Sequence, residues 1–282
     1  MFRKAWVVAL SLLAGGVALA GGNTDAMHEA SVGVTGTIDI DAAGAVTGYA
    51  IDRRQKLDSA VANLIDRAIP TWKFEPKSVD AGSKAGHTRM SLMIVARQQS
   101  ANQYAMRIQS AHFTDTDASP SDSITSASMR PPAYPTIAAR MGVEGTVYVA
   151  LKIDRTGHVT DAMAEQVNVG GADSPSAMEQ GRRVLTEVTL KAARNWTFHP
   201  PTTGKSAGDP YWLGQVPVQY SIGIGHDDGY GRWQVYVPGP KQPIPWVDPQ
   251  NREATANPEA LIPGELSTAG NQRRLLTALE TQ

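Results

Sequence analysis

Between residues 34 and 222, apolar positions recur with a period of two in several short stretches and a period of three to four in two longer ones. The first pattern predicts half-buried strands and the second amphipathic helices. Ile38 and Ile40 alternate with Asp39 and Asp41, and alternation resumes over Val46–Ile51 after Asp41-Ala42-Ala43-Gly44. This predicts a hairpin, since aspartate can cap backbone amides in a turn and glycine tolerates positive φ. Leu57, Val61, Leu64, Ile65 and Ala68 then fall on one helical face, which Pro70 should end or bend. Trp72 and Phe74 alternate after it and Pro76 closes the corner. Packing between helix and sheet is the expected role of these rings. After a loop over 77–87, Met90, Leu92 and Ile94 mark a third strand over 89–96, and Tyr104, Met106 and Ile108 a fourth over 104–113.

Residues 114–129 are small, polar and aperiodic, the signature of a linker. Beyond them, Tyr134-Pro135 precedes a helix of at most two turns over 136–141, stopped by Gly142. Gly145 to Asp154 reads as a strand with Val147, Val149, Leu151 and Ile153 inward; Arg155-Thr156-Gly157 turns the chain, and 158–167 runs back. Ser174 and Pro175 fit the cap and first position of a helix carrying Met178, Val184, Leu185, Val188 and Ala192 on its apolar side. Trp196, Phe198 and Pro200 close it, and Val216, Val218 and Tyr220 alternate in a last strand.

The two halves repeat one plan. Asp41-x-x-Gly44-x-Val46 matches Asp154-x-x-Gly157-x-Val159, and Trp72-x-Phe74-x-Pro76 matches Trp196-x-Phe198-x-Pro200. The turn glycine and the tryptophan are 28 residues apart in the first copy and 39 in the second. That difference falls in the connection and helix, where added length costs little. The expected fold class is α+β: two tandem small modules at 32–113 and 130–222, each an antiparallel sheet of about three strands packed by one main helix.

Composition narrows the function. The net charge of −1 becomes about −3 without Arg3 and Lys4, so no basic surface points to nucleic acid. There is no cysteine, which excludes disulfides, thiolate metal sites and a cysteine nucleophile. A basic start, a 16-residue apolar run over 5–20 and Ala18-Leu19-Ala20 before Gly21 read as an export signal over 1–20, cleaved after Ala20. The rival is an uncleaved anchor, although the run is shorter than the roughly 20 residues a span needs. Residues 21–31 are expected to be loose.

Candidate chemistry is sparse. Asp39 and Asp41 are too few for a cation on their own. In His226-Asp227-Asp228 adjacent side chains point apart, which suits a turn better than a metal site. His199 stands where Glu75 stands in the first copy, and His158 follows a turn glycine, so neither is expected to be catalytic. No serine sits in a nucleophile elbow, and no phosphate loop follows the glycines at 142–157. No enzyme activity, cofactor or metal is expected.

Residues 131–222 resemble the C-terminal domain of TonB-type energy transducers. The resemblance rests on Tyr134-Pro135, Ile137-Ala138-Ala139-Arg140, Gly145-Thr146-Val147, Asp154-x-x-Gly157-x-Val159 and Trp196-x-Phe198-x-Pro200. Residues 34–96 resemble a divergent second copy lacking the Tyr-Pro opening. The resemblance implies a periplasmic domain that grips an extended segment of an outer-membrane receptor, which adds as a strand beside the domain's last strand. Carried onto this chain, the candidate edge is Gln215, Val216, Val218, Gln219, Tyr220 and Ser221, with Gln219 and Tyr220 of chief interest. A full transducer also has a retained anchor bearing a histidine and a proline-rich spacer. Residues 5–20 hold Ser11 but no histidine, and residues 21–33 hold no proline.

The leading expectation is therefore a periplasmic protein-interaction module that binds an extended peptide or an envelope protein by strand addition, with a TonB-dependent outer-membrane receptor as one such partner. The alternatives are an inner-membrane-anchored energy transducer facing the periplasm and, least favoured, a periplasmic hydrolase. Exposed strand edges also allow a homodimer. Residues 223–282 form a proline-rich extended tail in which 232–237 is a candidate edge strand and Trp246 a candidate anchor. Leu275, Leu276 and Leu279 suggest a short helix over 271–280.

Overall fold

The computed structural model describes residues 29–76, 86–100, 103–116, 119–172, 174–223, 229–247, 258–268 and 272–279. The apolar run at 5–20 and His226-Asp227-Asp228 lie outside them. Strands β1 (Glu29–Ile40), β2 (Val46–Ile51), β3 (Gly86–Ser100) and β4 (Gln103–Asp115) accompany helix α1 (Ser59–Ala68). Strand β5 (Thr125–Ser128) and helix α2 (Thr136–Arg140) lead to β6 (Glu144–Asp154), β7 (Val159–Gly170), α3 (Pro175–Ala193), β8 (Thr197–His199) and β9 (Tyr211–Tyr220). The tail adds β10 (Gln234–Tyr236) and β11 (Ser267–Thr268). The fold is α+β, with antiparallel pairing between the strands.

One sheet has the order β10-β1-β3-β4, with β2 also paired to β1; another has the order β11-β9-β6-β7, and β5 pairs with β8 separately. The main sheets thus hold five and four strands, more than the expected three or so, because the tail contributes one to each and β4 adds another to the first. Alternation places Val32, Val34, Ile38, Met90, Leu92 and Ile94 on the face that meets Val61 and Ile65 of α1. Val147, Val149, Leu151, Ile153, Val216 and Val218 likewise meet Leu185 and Ala193 of α3. Two separate cores result. Asp58 caps α1 through Ala60 N–H (2.8 Å), and Ser174 caps α3 through Ala177 N–H (3.2 Å), with Pro175 at the first turn.

The repeated motif builds the same corner twice. Phe74 N–H donates to the Gly44 carbonyl at 2.8 Å, and Phe198 N–H to the Gly157 carbonyl at 2.9 Å. Both glycines are left-handed, with φ of 82° and 83°. The Asp41 carboxylate accepts from Ala45 N–H at 2.8 Å, and that of Asp154 from His158 N–H at 3.0 Å. Each tryptophan and phenylalanine of the motif is buried in its own core. Pro76 is exposed and Pro200 half-buried at the ends of these corners.

Three expectations change. Residues 29–31, expected to be loose, pair with both β3 and β10. Part of the expected linker is ordered by partners: a 3-10 turn covers Pro120–Asp122, and β5 pairs with β8. The expected terminal helix is extended chain among the described residues. Glu75 N–H donates to Arg274 O (2.9 Å), Leu276 N–H to Lys73 O (2.7 Å) and Arg273 N–H to Phe113 O (2.9 Å). Leu275 and Leu279 pack on the first core while Leu276 stays exposed. Partners on the first unit outweigh a short helix's weak local preference.

The sheet faces opposite the helices mix polar residues with Met93 and Tyr148 and look at each other. Ser31, Ser91 and Met93 of one sheet and Thr146, Tyr148 and Gln219 of the other line a shared cavity of about 480 Å³. Residues 258–261 of the tail are buried there. The Glu259 carboxylate accepts from Gln166 Nε2 (3.1 Å) on β7 and from Gln109 Nε2 (3.2 Å) on β4, so one tail residue bridges the two sheets. Ser91 Oγ donates to the Ala260 carbonyl at 2.5 Å.

Candidate functional site

Strand β9 pairs with β6 along its whole length, from Tyr211 opposite Asp154 to Tyr220 opposite Gly145. Its other side is the candidate edge. Gly264 N–H donates to the Pro217 carbonyl at 2.8 Å, so the main chain of Pro217 faces away from β6. Alternation gives Gln215, Gln219 and Ser221 the same orientation. Pro217 has no N–H, which suits a strand whose outer side is not fully paired.

The tail covers part of this edge. In β11, Ser267 pairs with Gln215 and Thr268 with Gly214. Pro263 and Gly264 turn the chain just before, closed by Glu265 N–H donating to the Ile262 carbonyl at 3.0 Å. Beyond Pro217, a groove of about 300 Å³ runs along the edge, lined by Met129, Pro131, Trp196, Val218, Gln219 and Pro263. The edge is therefore two segments, a tail-covered part at 214–217 and a groove-facing part at 218–221.

The expected site residues divide accordingly. Gln215 is buried; its backbone meets β11 and its side chain donates to Glu165 Oε2 at 2.8 Å. Val216 and Val218 point into the core. Gln219 is half-buried beside the groove, and its Nε2 donates to Gln234 Oε1 at 3.3 Å. Ser221 is half-buried at the open end. Tyr220 is not presented to a partner: it is 4 % exposed, its hydroxyl lies 2.6 Å from Thr189 Oγ1 of α3, and its ring meets Tyr134 edge-on at 5.6 Å. Burial pushes both phenols above their ordinary range. Tyr134 in turn donates to the Val143 carbonyl, and Trp196 Nε1 to Arg130 O at 2.9 Å. Tyr134 thus ties the chain before α2 to Val143 before β6 and to Tyr220 of β9, and Trp196 ties the chain after α3 to Arg130.

Leu266, Ser267 and Thr268 were not singled out by the sequence pattern, because a two-residue strand has no period. The signal that could have found them is the turn dipeptide Pro263-Gly264, which with Glu265 directly precedes Leu266. His158 and His199 are exposed. Among the described residues no group of three or more His, Asp or Glu could hold a metal ion, and no helix is long and apolar enough to cross a membrane.

Residues 130–166, which span α2, β6 and most of β7, match the family described as Gram-negative bacterial TonB protein C-terminal. Over this segment the chain is similar to the TonB C-terminal family. Protein TonB of Xanthomonas campestris pv. campestris (strain B100) is 31% identical over 109 residues, 38% of this chain and 42% of that protein. Protein tonB2 of Pseudomonas aeruginosa is 28% identical over 91 residues, covering 32% of this chain and 28% of that protein. The chain therefore spans less than half the length of these TonB relatives. The solution NMR structure of the Pseudomonas aeruginosa TonB CTD aligns at 23% identity with 39% of this chain and 95% of that one, with a TM-score of 0.26.

Proposed function

We propose that this protein is a periplasmic interaction module that receives an extended segment of an envelope protein as an added strand on the outer side of β9. The observation that carries this reading is the edge at Gln219 and Ser221, main chain outward, bordered by the groove along Met129, Pro131 and Trp196. Backbone pairing would supply affinity and the groove would select side chains. The TonB C-terminal segment at 130–166 favours an outer-membrane receptor as the partner. On the same reading the chain is two tandem modules at 32–113 and 130–222, a view supported by the matched corners at Gly44–Phe74 and Gly157–Phe198. Residues 1–20 are removed on export and residues 223–282 serve both modules as a tail. The activity is binding, without catalysis.

The test places a photo-crosslinking amino acid at Gln219 of the full chain in a Gram-negative host. Light-dependent adducts that map to an extended segment of an outer-membrane receptor or other envelope protein are expected. Crosslinks only within the chain would refute the reading. The intact mass of the mature protein separates a soluble chain beginning at Gly21 from a full-length anchored transducer.

A further inference from the structure

From the way the tail sits on β9, we infer that Leu266–Thr268 is a built-in occupant of the binding edge, and that it displays the kind of strand the edge accepts: an aliphatic residue followed by two small polar ones, running antiparallel to β9. This rests on the proposed strand addition at β9 and specifies its ligand.

Three features make Leu266–Thr268 a seated ligand. The first is backbone pairing: Ser267 and Thr268 are antiparallel to Gln215 and Gly214, and the preceding Pro263-Gly264 turn delivers the strand through Gly264 N–H to Pro217 O. The second is a side-chain slot. Leu266 packs against the second core, and a Cβ added at Gly214 would stand 2.8 Å from Leu266 Cδ1 and 3.3 Å from Ile153 Cδ1. The missing side chain of Gly214 is what leaves room for the leucine. The third is size: Ser267 and Thr268 are 3% and 6% exposed, so larger side chains at those two places would not fit without displacement. An alternating strand of this kind needs only one apolar anchor, because its neighbours point to the other face or lie under cover.

The occupant is tied to the same chain, so it competes at the roughly millimolar effective concentration of a short tether. A partner strand must displace it or exceed it in affinity. It is also anchored on its N-terminal side by Glu259 between Gln109 and Gln166, so displacement at β9 draws on the contact between the two sheets.

The test uses the full chain with Leu266→Ser, which empties the slot while leaving Gly214, Leu151 and Ile153 intact. The probe is a labelled peptide of residues 261–270, LIPGELSTAG, with a control peptide in which its single internal leucine before Ser-Thr is replaced by serine. Amide exchange at Gln215 is followed in parallel. The backbone amide of Gln215 should exchange roughly tenfold faster or more in Leu266→Ser, and the peptide should bind that variant roughly tenfold or more tighter than wild type. The control peptide should not bind either protein. Unchanged exchange at Gln215, or equal binding of both peptides, overturns the inference while leaving strand addition at Gln219 standing. Faster exchange without binding of the peptide to either protein overturns the ligand class and counts against strand addition at β9 itself. Gly214→Leu, which fills the slot from the sheet side, should abolish peptide binding even in the presence of Leu266→Ser; retained binding would place the peptide elsewhere.

Discussion

Replacing either turn glycine, Gly44 or Gly157, by alanine tests whether the two halves share one folding device. Gly157 has φ of 83°, a region that costs an L-residue roughly 1–2 kcal/mol. A Cβ there would overlap the Phe198 carbonyl oxygen and stand 3.0 Å from its carbonyl carbon. Because both atoms are backbone, no rotamer change relieves the contact. Strand β8 must move away, which threatens the 2.9 Å bond from Phe198 N–H to Gly157 O, worth about 1 kcal/mol net. Together with loosened packing of Phe198, the expected loss is roughly 3–4 kcal/mol. Gly44 has φ of 82°, the same overlap with the Phe74 carbonyl and 2.9 Å to its carbon, so the same loss is expected in the first core. Gly208, with no atom within 4 Å of an added Cβ, is the control: alanine there should stay within about 0.5 kcal/mol of wild type. Urea unfolding gives the totals, and peptide-resolved hydrogen exchange shows which core loosens. If Gly157→Ala lies within about 1 kcal/mol of wild type, the corner does not hold the strand against the core. If the losses at Gly44 and Gly157 differ by more than about 2 kcal/mol, the shared geometry is not a shared energetic role.

Two further predictions follow from buried or capping side chains. His112 on β4 is 8% exposed, and burial holds its imidazole down to about 4 from 6.5. The unfolded chain therefore binds the proton first, and this contribution is complete above pH 6.5 and lost as pH falls towards 4. The full shift corresponds to about 3 kcal/mol. Urea midpoints at pH 7 and pH 4.5 should converge more in His112→Gln than in wild type, and parallel behaviour of the two proteins would refute the assignment. At the turn before β7, Asp154 Oδ1 accepts from Thr156 Oγ1 (2.6 Å), His158 N–H (3.0 Å) and Thr156 N–H (2.8 Å), and these bonds, the hydroxyl's first, hold its carboxyl below the usual range. Asp154→Ala should cost about 1–2 kcal/mol in thermal or urea unfolding, whereas no change would mean the backbone turn closes unaided.

Legibility in the sequence followed the range of the forces involved. The hairpin turns, the helix caps and the Trp-x-Phe-x-Pro corners depend on residues close together or on strong alternation, and Val147, Val149, Leu151 and Ile153 occupy the inward face that their spacing predicts. The tail obeys different rules. Leu275, Leu276 and Leu279 have helical spacing, yet backbone partners at Lys73, Glu75 and Phe113 hold them extended. Residues 125–128 carry no period because β8, some seventy positions later, defines them. At the candidate site, the resemblance pointed to the strand that ends at Tyr220, but the division of its outer side into covered and uncovered parts was not readable. That division depends on Leu266 meeting Gly214, a contact between residues whose separate patterns say nothing of each other. Tyr220 shows the same limit, since alternation alone does not reveal that Thr189 takes its hydroxyl.

The joint between the sheets has a mechanical consequence. Each unit keeps its oily interior on the helix side, while the surfaces that meet mix serine, threonine, glutamine and a bridging glutamate with Met93, Tyr148 and Leu261. Parting them would expose Met93, Tyr148 and Leu261 along with polar side chains that water solvates well, and would leave both helix-side interiors dry. The seam's tightness is set by a handful of directional bonds around Glu259, and a seam of that kind yields at a defined point.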